Sequence, residues 1–180
     1  GHVTGEKKTL HHRKVASSII MGSKALYDFI DHNEMIEMYP VSHMNDPYVI
    51  GQNDRMVSIN SCLEIDLYGQ VASEAIGLEQ FSGTGGQVDY LRGAKRSRGG
   101  RSILAFTSTA KGGTVSRIVP VLPPGATVTS GRNEVDYIAT EYGAVRLRGL
   151  TLRERALALV SIAHPDFRPG LMAAIEERFS

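Results

Sequence analysis

The chain has 180 residues, a length that suits one domain with a substantial core. Its 42% hydrophobic and 22% charged residues exclude a disordered segment, and a formal net charge of +1 excludes capture of polyanions by bulk charge. No apolar run reaches the length of a membrane span, and a lone cysteine, Cys62, excludes an internal disulfide, so a reducing cytoplasm is the expected setting. The opening, Gly1 followed by HVTGEKKTLHHRK, has neither an initiator methionine nor the apolar core of a secretion signal. Residues 1–12 are therefore expected to be a tail continuing from a preceding part, and residues 13–180 to form the domain proper.

In chain order, residues 14–21 (KVASSIIM) form a short apolar run rich in β-branched side chains and read as a strand. After Gly22, a Ser23 cap precedes Leu26, Phe29 and Ile30 at helical spacing. MIEMYP reads as a second strand closed by Pro40. In NDPYVIGQN, Asp46 is an N-cap and Pro47 takes the first helical position, which puts Asn45 in a strand-to-helix turn. Residues 57–67 and 71–76 read as two strands of a hairpin turning at Tyr68, Gly69 and Gln70. The glycine loop SGTGG then leads into a helix over 87–97, followed by strands in RSILAFTST, SRIVPVL and VDYIATE. Pro123, Pro124 and Gly125 mark a turn. Thr151 and Glu154 form a capping box before an apolar-striped helix that ends ahead of HPDF, and a last helix spans 171–179. Strands alternating with helices predict an α/β domain.

The glycine loop raises the functional question. GTGGQV departs from the dinucleotide fingerprint at Val88, and no Lys-Ser or Lys-Thr pair completes a P-loop. What remains is a set of amides at Gly85, Gly86 and Gln87, free at a helix start and facing negative charge; a tight turn without a ligand is the competing reading. Arg92, Lys95, Arg96, Arg98 and Arg101 offer a phosphate contact but read first as a solvated helix face, and without interleaved aromatics they give little support to nucleic-acid binding. Lys111, in the flexible STAKGG loop, has the reach to meet a phosphate. His11, His12, His43 and His164 show no ligand spacing with Cys62 or a carboxylate, so no metal site is expected. Cys62 reads as core. Glu64, Asp66 and Glu141 are carboxylates with catalytic potential, each with a structural explanation at a strand.

Taken in order, GSKALYDFIDHN, IEMYPVSHMNDPYVIGQND, VSINSCLEIDLYGQV, FSGTGGQVDYLRGA, GGTVSRIVP, VDYIATEYG, LRGLTLRERA and IAHPDFR cover nearly the whole chain. The series resembles the C-terminal domain of the acetyl-CoA hydrolase/transferase family, in particular its 4-hydroxybutyrate and butyryl-CoA:acetate CoA-transferases. The resemblance implies an α/β fold of the CoA-transferase type, a layered sheet flanked by helices as in the NagB/RpiA group. It also implies ping-pong transfer of CoA from a short-chain acyl-CoA to a carboxylic acid such as acetate, through a glutamyl-CoA thioester. The family's catalytic glutamate precedes the segment that this chain resembles. By the same resemblance, Gly86 supplies an oxyanion amide beside Gly85, and Asn45 is the active-site asparagine. Cys62 (through its backbone), Gly85, Gly86 and Lys111 contact coenzyme A, with no metal. The implied partners are an N-terminal domain of the same polypeptide and further copies in a homodimer or higher homo-oligomer, with neither nucleic acid nor a membrane. Acyl-CoA hydrolysis and non-catalytic CoA binding stay open beside transfer, and the isolated fragment is expected to be inactive.

Overall fold

The computed structural model describes residues 4–179. The opening tail is anchored: Leu10 N donates to Asn53 Oδ1 (3.0 Å) and Asp54 N to Thr9 Oγ1 (3.1 Å). Strand β1 (Val15–Ser17), helix α1 (Lys24–Ile30) and strand β2 (Ile36–Met38) form a crossover that pairs the two strands in parallel. β1 is shorter than the run over 14–21, because β2 offers only three partners, from Ile36 opposite Val15 to Met38 opposite Ser17. Ser23 caps α1 as expected, accepting from Leu26 N. The apolar spacing of α1 does not lead to the core: none of its residues is buried and Phe29 is 59% exposed.

Pro40, with φ −57°, leads into α2 (Val41–Met44), one turn too short to register as a sequence period. Asn45 therefore does not sit in a strand-to-helix turn. It caps the C-terminus of α2, its N–H donating to the Val41 carbonyl at 2.8 Å. Asp46 then caps α3 (Pro47–Gly51), accepting from Tyr48 N at 2.8 Å, as the sequence predicts.

The run expected as one strand over 57–67 divides into β3 (Val57–Asn60) and β4 (Glu64–Asp66), which belong to different sheets. Arg117 lies at the break, where its guanidinium takes the carbonyls of Cys62 and Leu63 in place of a neighbouring strand. The hairpin at Tyr68–Gln70 is present, with β5 (Val71–Ala72) antiparallel to β4. The second half of the 71–76 run separates as β6 (Ala75–Ile76), paired with β7 (Glu79–Gln80), because Ser73 N turns to Thr129 Oγ1. Helix α4 (Gln87–Arg96) follows the glycine loop and feeds β8 (Arg101–Ala105). SRIVPVL also breaks at Arg117, into β10 (Val115–Ser116), which pairs with β9 (Thr109–Ala110), and β11 (Ile118–Val119). β12 (Tyr137–Thr140) continues through a two-residue turn into β13 (Gly143–Arg146), a strand not foreseen from the sequence.

One sheet has the order β13-β12-β8-β3, parallel except for β13; another has the order β11-β4-β5. Helices α5 (Leu152–Ser161) and α6 (Arg168–Phe179) complete a mixed α/β domain, α6 starting three residues earlier than expected. The capping box on α5 is complete, with Thr151 Oγ1 accepting from Glu154 N and Glu154 Oε2 accepting from Thr151 N. Ile65, Leu91, Leu104, Ile118, Ile138, Leu159 and Ile175 are essentially inaccessible, so both sheets and α4, α5 and α6 share one core. Cys62 is part of it, and burial pushes its thiol up to about 12.

Two outcomes follow from this packing. In urea unfolding, Ile138→Ala should lower stability by about 2–5 kcal/mol, whereas Thr151→Ala should cost about 1 kcal/mol through the lost cap. Cys62 should resist a thiol-specific disulfide reagent at pH 8 in the folded protein and react in denaturant, because little thiolate forms so far below about 12.

Candidate active site

The site is set by the close packing of α3 on α4, where the Ile50 side chain lies against the bare backbone of Gly93. A Cβ on Gly93 of α4 would lie 2.4 Å from Ile50 Cγ2 of α3, so glycine alone permits this approach. The contact brings the starts of α3 and α4 side by side. At the head of α4 the buried Gln87 side chain donates from Nε2 to Ser130 Oγ at 3.0 Å, and Ser130 is tied in turn to Val71 by main-chain bonds in both directions (3.0 and 3.1 Å).

A cleft of about 650 Å³ opens here, lined by Ser18, Ile19, Val41, Ser42, Asn45, Asp46, Gly85, Gly86 and Asp89. Ser18 and Ile19 follow β1, and Val41 and Ser42 come shortly after β2. The cleft thus lies off the carboxyl ends of parallel strands, where open α/β sheets bind ligands. Asn45 and Gly86 lie against each other in its wall: a Cβ on Gly86 would stand 2.4 Å from Asn45 Nδ2 and 3.0 Å from Cγ. Gly86 has ordinary angles (φ −92°, ψ 9°), so its missing side chain matters for space; the left-handed backbone falls on Gly85 (φ +56°). No side chain caps α4 at Gly86, and no described acceptor takes the Gly86 N–H.

The charges around the cleft discriminate among ligands. Asp46 and Asp89 line it and, among the described residues, no lysine or arginine does. A phosphate would meet like charge, whereas a neutral carbonyl whose oxygen gains charge only in passing suits uncharged amide donors. Four members of the basic cluster are engaged elsewhere. Arg92 pairs with Glu134 (3.3 Å), Lys95 donates to the Asn133 carbonyl, Arg98 pairs with Asp54, and Arg96 lies 4.0 Å over the Tyr48 ring.

The structure thus brings together Asn45, Gly85 and Gly86 from the sequence reading, while Cys62 and Lys111 do not line the cleft. The Cys62 thiol is in the core and its carbonyl accepts from Arg117; Lys111 is exposed on a single 3₁₀ turn, with φ +49°. Asp66 is fully buried and accepts from Tyr68 N, Gln70 N and Gln70 Nε2, a structural role at the hairpin turn. Burial raises the Glu141 carboxyl, but donation from the Ser108 hydroxyl and N–H outweighs it and leaves the group below the usual range. Burial pushes the Glu64 carboxyl up against the pull of Arg117, and its Oε2 has no partner among the described residues. Sequence reading missed Ser18, Ile19, Val41, Ser42 and Asp89; Ser18 and Ile19 fall inside the run read as a strand over 14–21, and only the early end of β1 exposes them to the cleft. It also did not pair His11 with His43, which come together with Glu37 and Tyr39 behind α2.

Residues 22–175 match the family model described as the acetyl-CoA hydrolase/transferase C-terminal domain. The chain is 56% identical over 179 residues to a 4-hydroxybutyrate coenzyme A transferase of Clostridium kluyveri, covering 99% of this chain and 42% of that protein. It superposes on the crystal structure of a 4-hydroxybutyrate CoA-transferase from Porphyromonas gingivalis with TM-score 0.86 and 60% identity, covering 99% of this chain and 41% of that one. For RipA from Yersinia pestis the TM-score is 0.92 at 45% identity, covering 98% and 40%. The chain thus spans about two fifths of the length of these relatives. It belongs to the acetyl-CoA hydrolase/transferase family, of which it carries the C-terminal domain.

Proposed function

We propose that this chain is the CoA-binding half of a CoA-transferase active site, with the catalytic glutamate in a preceding domain of the same polypeptide. The intact enzyme moves CoA between a short-chain acyl-CoA, such as 4-hydroxybutyryl-, butyryl- or acetyl-CoA, and a carboxylate such as acetate. The observation that carries this reading is the opposition of the Asn45 amide and the side-chain-free Gly86 amide in one cleft. The layered sheet of the CoA-transferase type (NagB/RpiA) is part of the same proposal, as is assembly into a homodimer or higher homo-oligomer.

In this mechanism the glutamate carboxylate attacks the thioester carbonyl, CoA leaves as thiolate, and an acyl-glutamyl anhydride remains. The thiolate attacks the glutamyl carbonyl and expels the acyl group as its carboxylate, which leaves a glutamyl-CoA thioester. The acceptor carboxylate then repeats the sequence in reverse. Each attack places negative charge on a carbonyl oxygen, which the Gly86 N–H and the Asn45 side-chain NH₂ stabilise as preorganised donors. Asn45 is also uncharged, so it does not oppose the approach of a carboxylate nucleophile. Gly85, with its left-handed backbone, makes the turn that in this reading aims the next amide into the cleft. Lys111 extends the CoA contacts toward the phosphates or pantetheine, and Cys62 contributes through its main chain.

The test uses the intact protein, mixed with acyl-CoA and followed by mass spectrometry for the glutamyl-CoA adduct. Gly86→Ala should fold yet form adduct roughly 10²-fold more slowly, since the new methyl displaces Asn45 from its place beside the donor. Asn45→Ala should lower kcat far more than it raises KM. The 180-residue chain alone should show no transfer. A folded Gly86→Ala protein with the normal adduct rate would reduce the loop to a turn. CoA binding without any adduct would leave a non-catalytic module, and CoA release without an acceptor acid would mark a hydrolase.

A further inference from the structure

Behind the cleft, on the far side of α2, four side chains from three parts of the chain converge. His11 from the opening tail places Nδ1 3.2 Å from Glu37 Oε2 and Nε2 3.3 Å from His43 Nε2. Tyr39 donates its hydroxyl to the same Glu37 oxygen at 2.9 Å. The three rings are in mutual contact, with centroids 4.6 Å apart for His11 and Tyr39, 4.9 Å for Tyr39 and His43, and 5.5 Å for the two histidines. His43 is in α2, two residues before Asn45, and its backbone N–H is bonded to the Pro40 carbonyl at the helix start.

Hydrogen-bond polarity gives the cluster a direction. Donation from the Tyr39 hydroxyl, opposed by burial and aided by His11 and the nearby Lys14, holds the Glu37 carboxyl below its usual range, so it is an acceptor at neutral pH. An ionised acceptor places a proton on His11 Nδ1. The remaining nitrogen, Nε2, is then left to share one proton with His43 Nε2. That bond ties His43 through His11 to the carboxylate on β2. His11 holds a left-handed backbone (φ +52°), an uncommon conformation that persists where its surroundings impose it.

We propose that His11 is a positioning residue: it links Glu37 of β2 to His43 of α2 and thereby fixes the one-turn helix that aims Asn45 at Gly86. A four-residue helix has no cooperative stability of its own, and α2 buries none of its residues, so such an external tie sets its orientation. The inference rests on the transferase reading for its kinetic consequence, but not for its structural one.

The test is made in the intact protein. His11→Asn suits it, because asparagine tolerates the left-handed backbone and keeps a donor for Glu37 but is too short to meet His43. Its crystal structure should show the Asn45 side chain displaced from its contact with Gly86. The kcat should fall roughly 10- to 100-fold with KM for acyl-CoA little changed, the scale of a misplaced group near the chemistry. In an Asn45→Ala background, His11→Asn should change kcat by less than about twofold, since the group it positions is gone. His43→Gln, whose amide can still donate to His11 Nε2, should retain most of the rate that His43→Ala loses. Asn45 in its original place in the His11→Asn structure, or losses that multiply in the double variant, would overturn the proposal. Should Asn45 shift as expected while Asn45→Ala has full activity, the positioning stands and the transferase reading fails.

Discussion

Everything distinctive about the cleft traces to the contact of α3 with α4, where Ile50 occupies the space that a side chain on residue 93 would need. Because the Ile50 side chain seats directly on the Gly93 backbone, the helices approach closely, and near their N-terminal ends Asn45 meets Gly86. Any larger residue at position 93 would push α3 outward, and Asn45, attached to its head, would move with it. The Gln87 bond to Ser130 ties down the head of α4 next to Gly86. Rigid placement of donors is what an oxyanion site requires, since reorientation during the reaction would cost part of the stabilisation.

The charges support the same division of labour. The cleft carries Asp46 and Asp89 and lacks a neighbouring cation among its described lining residues, which disfavours a phosphate resting at the glycine loop. Asp46 spends one oxygen on the Tyr48 N–H and thus stabilises α3 as well. CoA would lay its thioester in the cleft and its charged end elsewhere, with Lys111 on its exposed turn as the proposed reach.

Much of this was legible in the sequence, for identifiable reasons. Asp46 followed by Pro47 announces a helix start, Thr151 with Glu154 a capping box, and Gly86 before an amphipathic stretch the head of α4; each is a local signal, and each is where it was expected. The failures are non-local. Arg117 is more than fifty residues from Cys62 and Leu63, so its capture of their carbonyls at the break in the 57–67 run leaves no trace in the run itself. α2 is shorter than any period, and the apolar residues of α1 look like a core stripe although the core is elsewhere. Asn45 and Gly86 were named together through a family resemblance; their contact needed the glycine at residue 93, whose role is invisible without its partner Ile50. The His11, Glu37 and His43 grouping spans the tail, a strand and a helix, and no spacing rule would have joined them.

The most direct measurement is a crystal structure of the intact protein with a non-hydrolysable acyl-CoA analogue bound. The oxygen that stands for the thioester carbonyl should lie about 2.7–3.1 Å from the Gly86 nitrogen, with Asn45 Nδ2 as a second donor and the proposed glutamate carboxylate of a preceding domain facing the carbon. An analogue whose reacting carbonyl lies away from Gly86 and Asn45, with the cleft taken up by another part of CoA or by solvent, would contradict that placement.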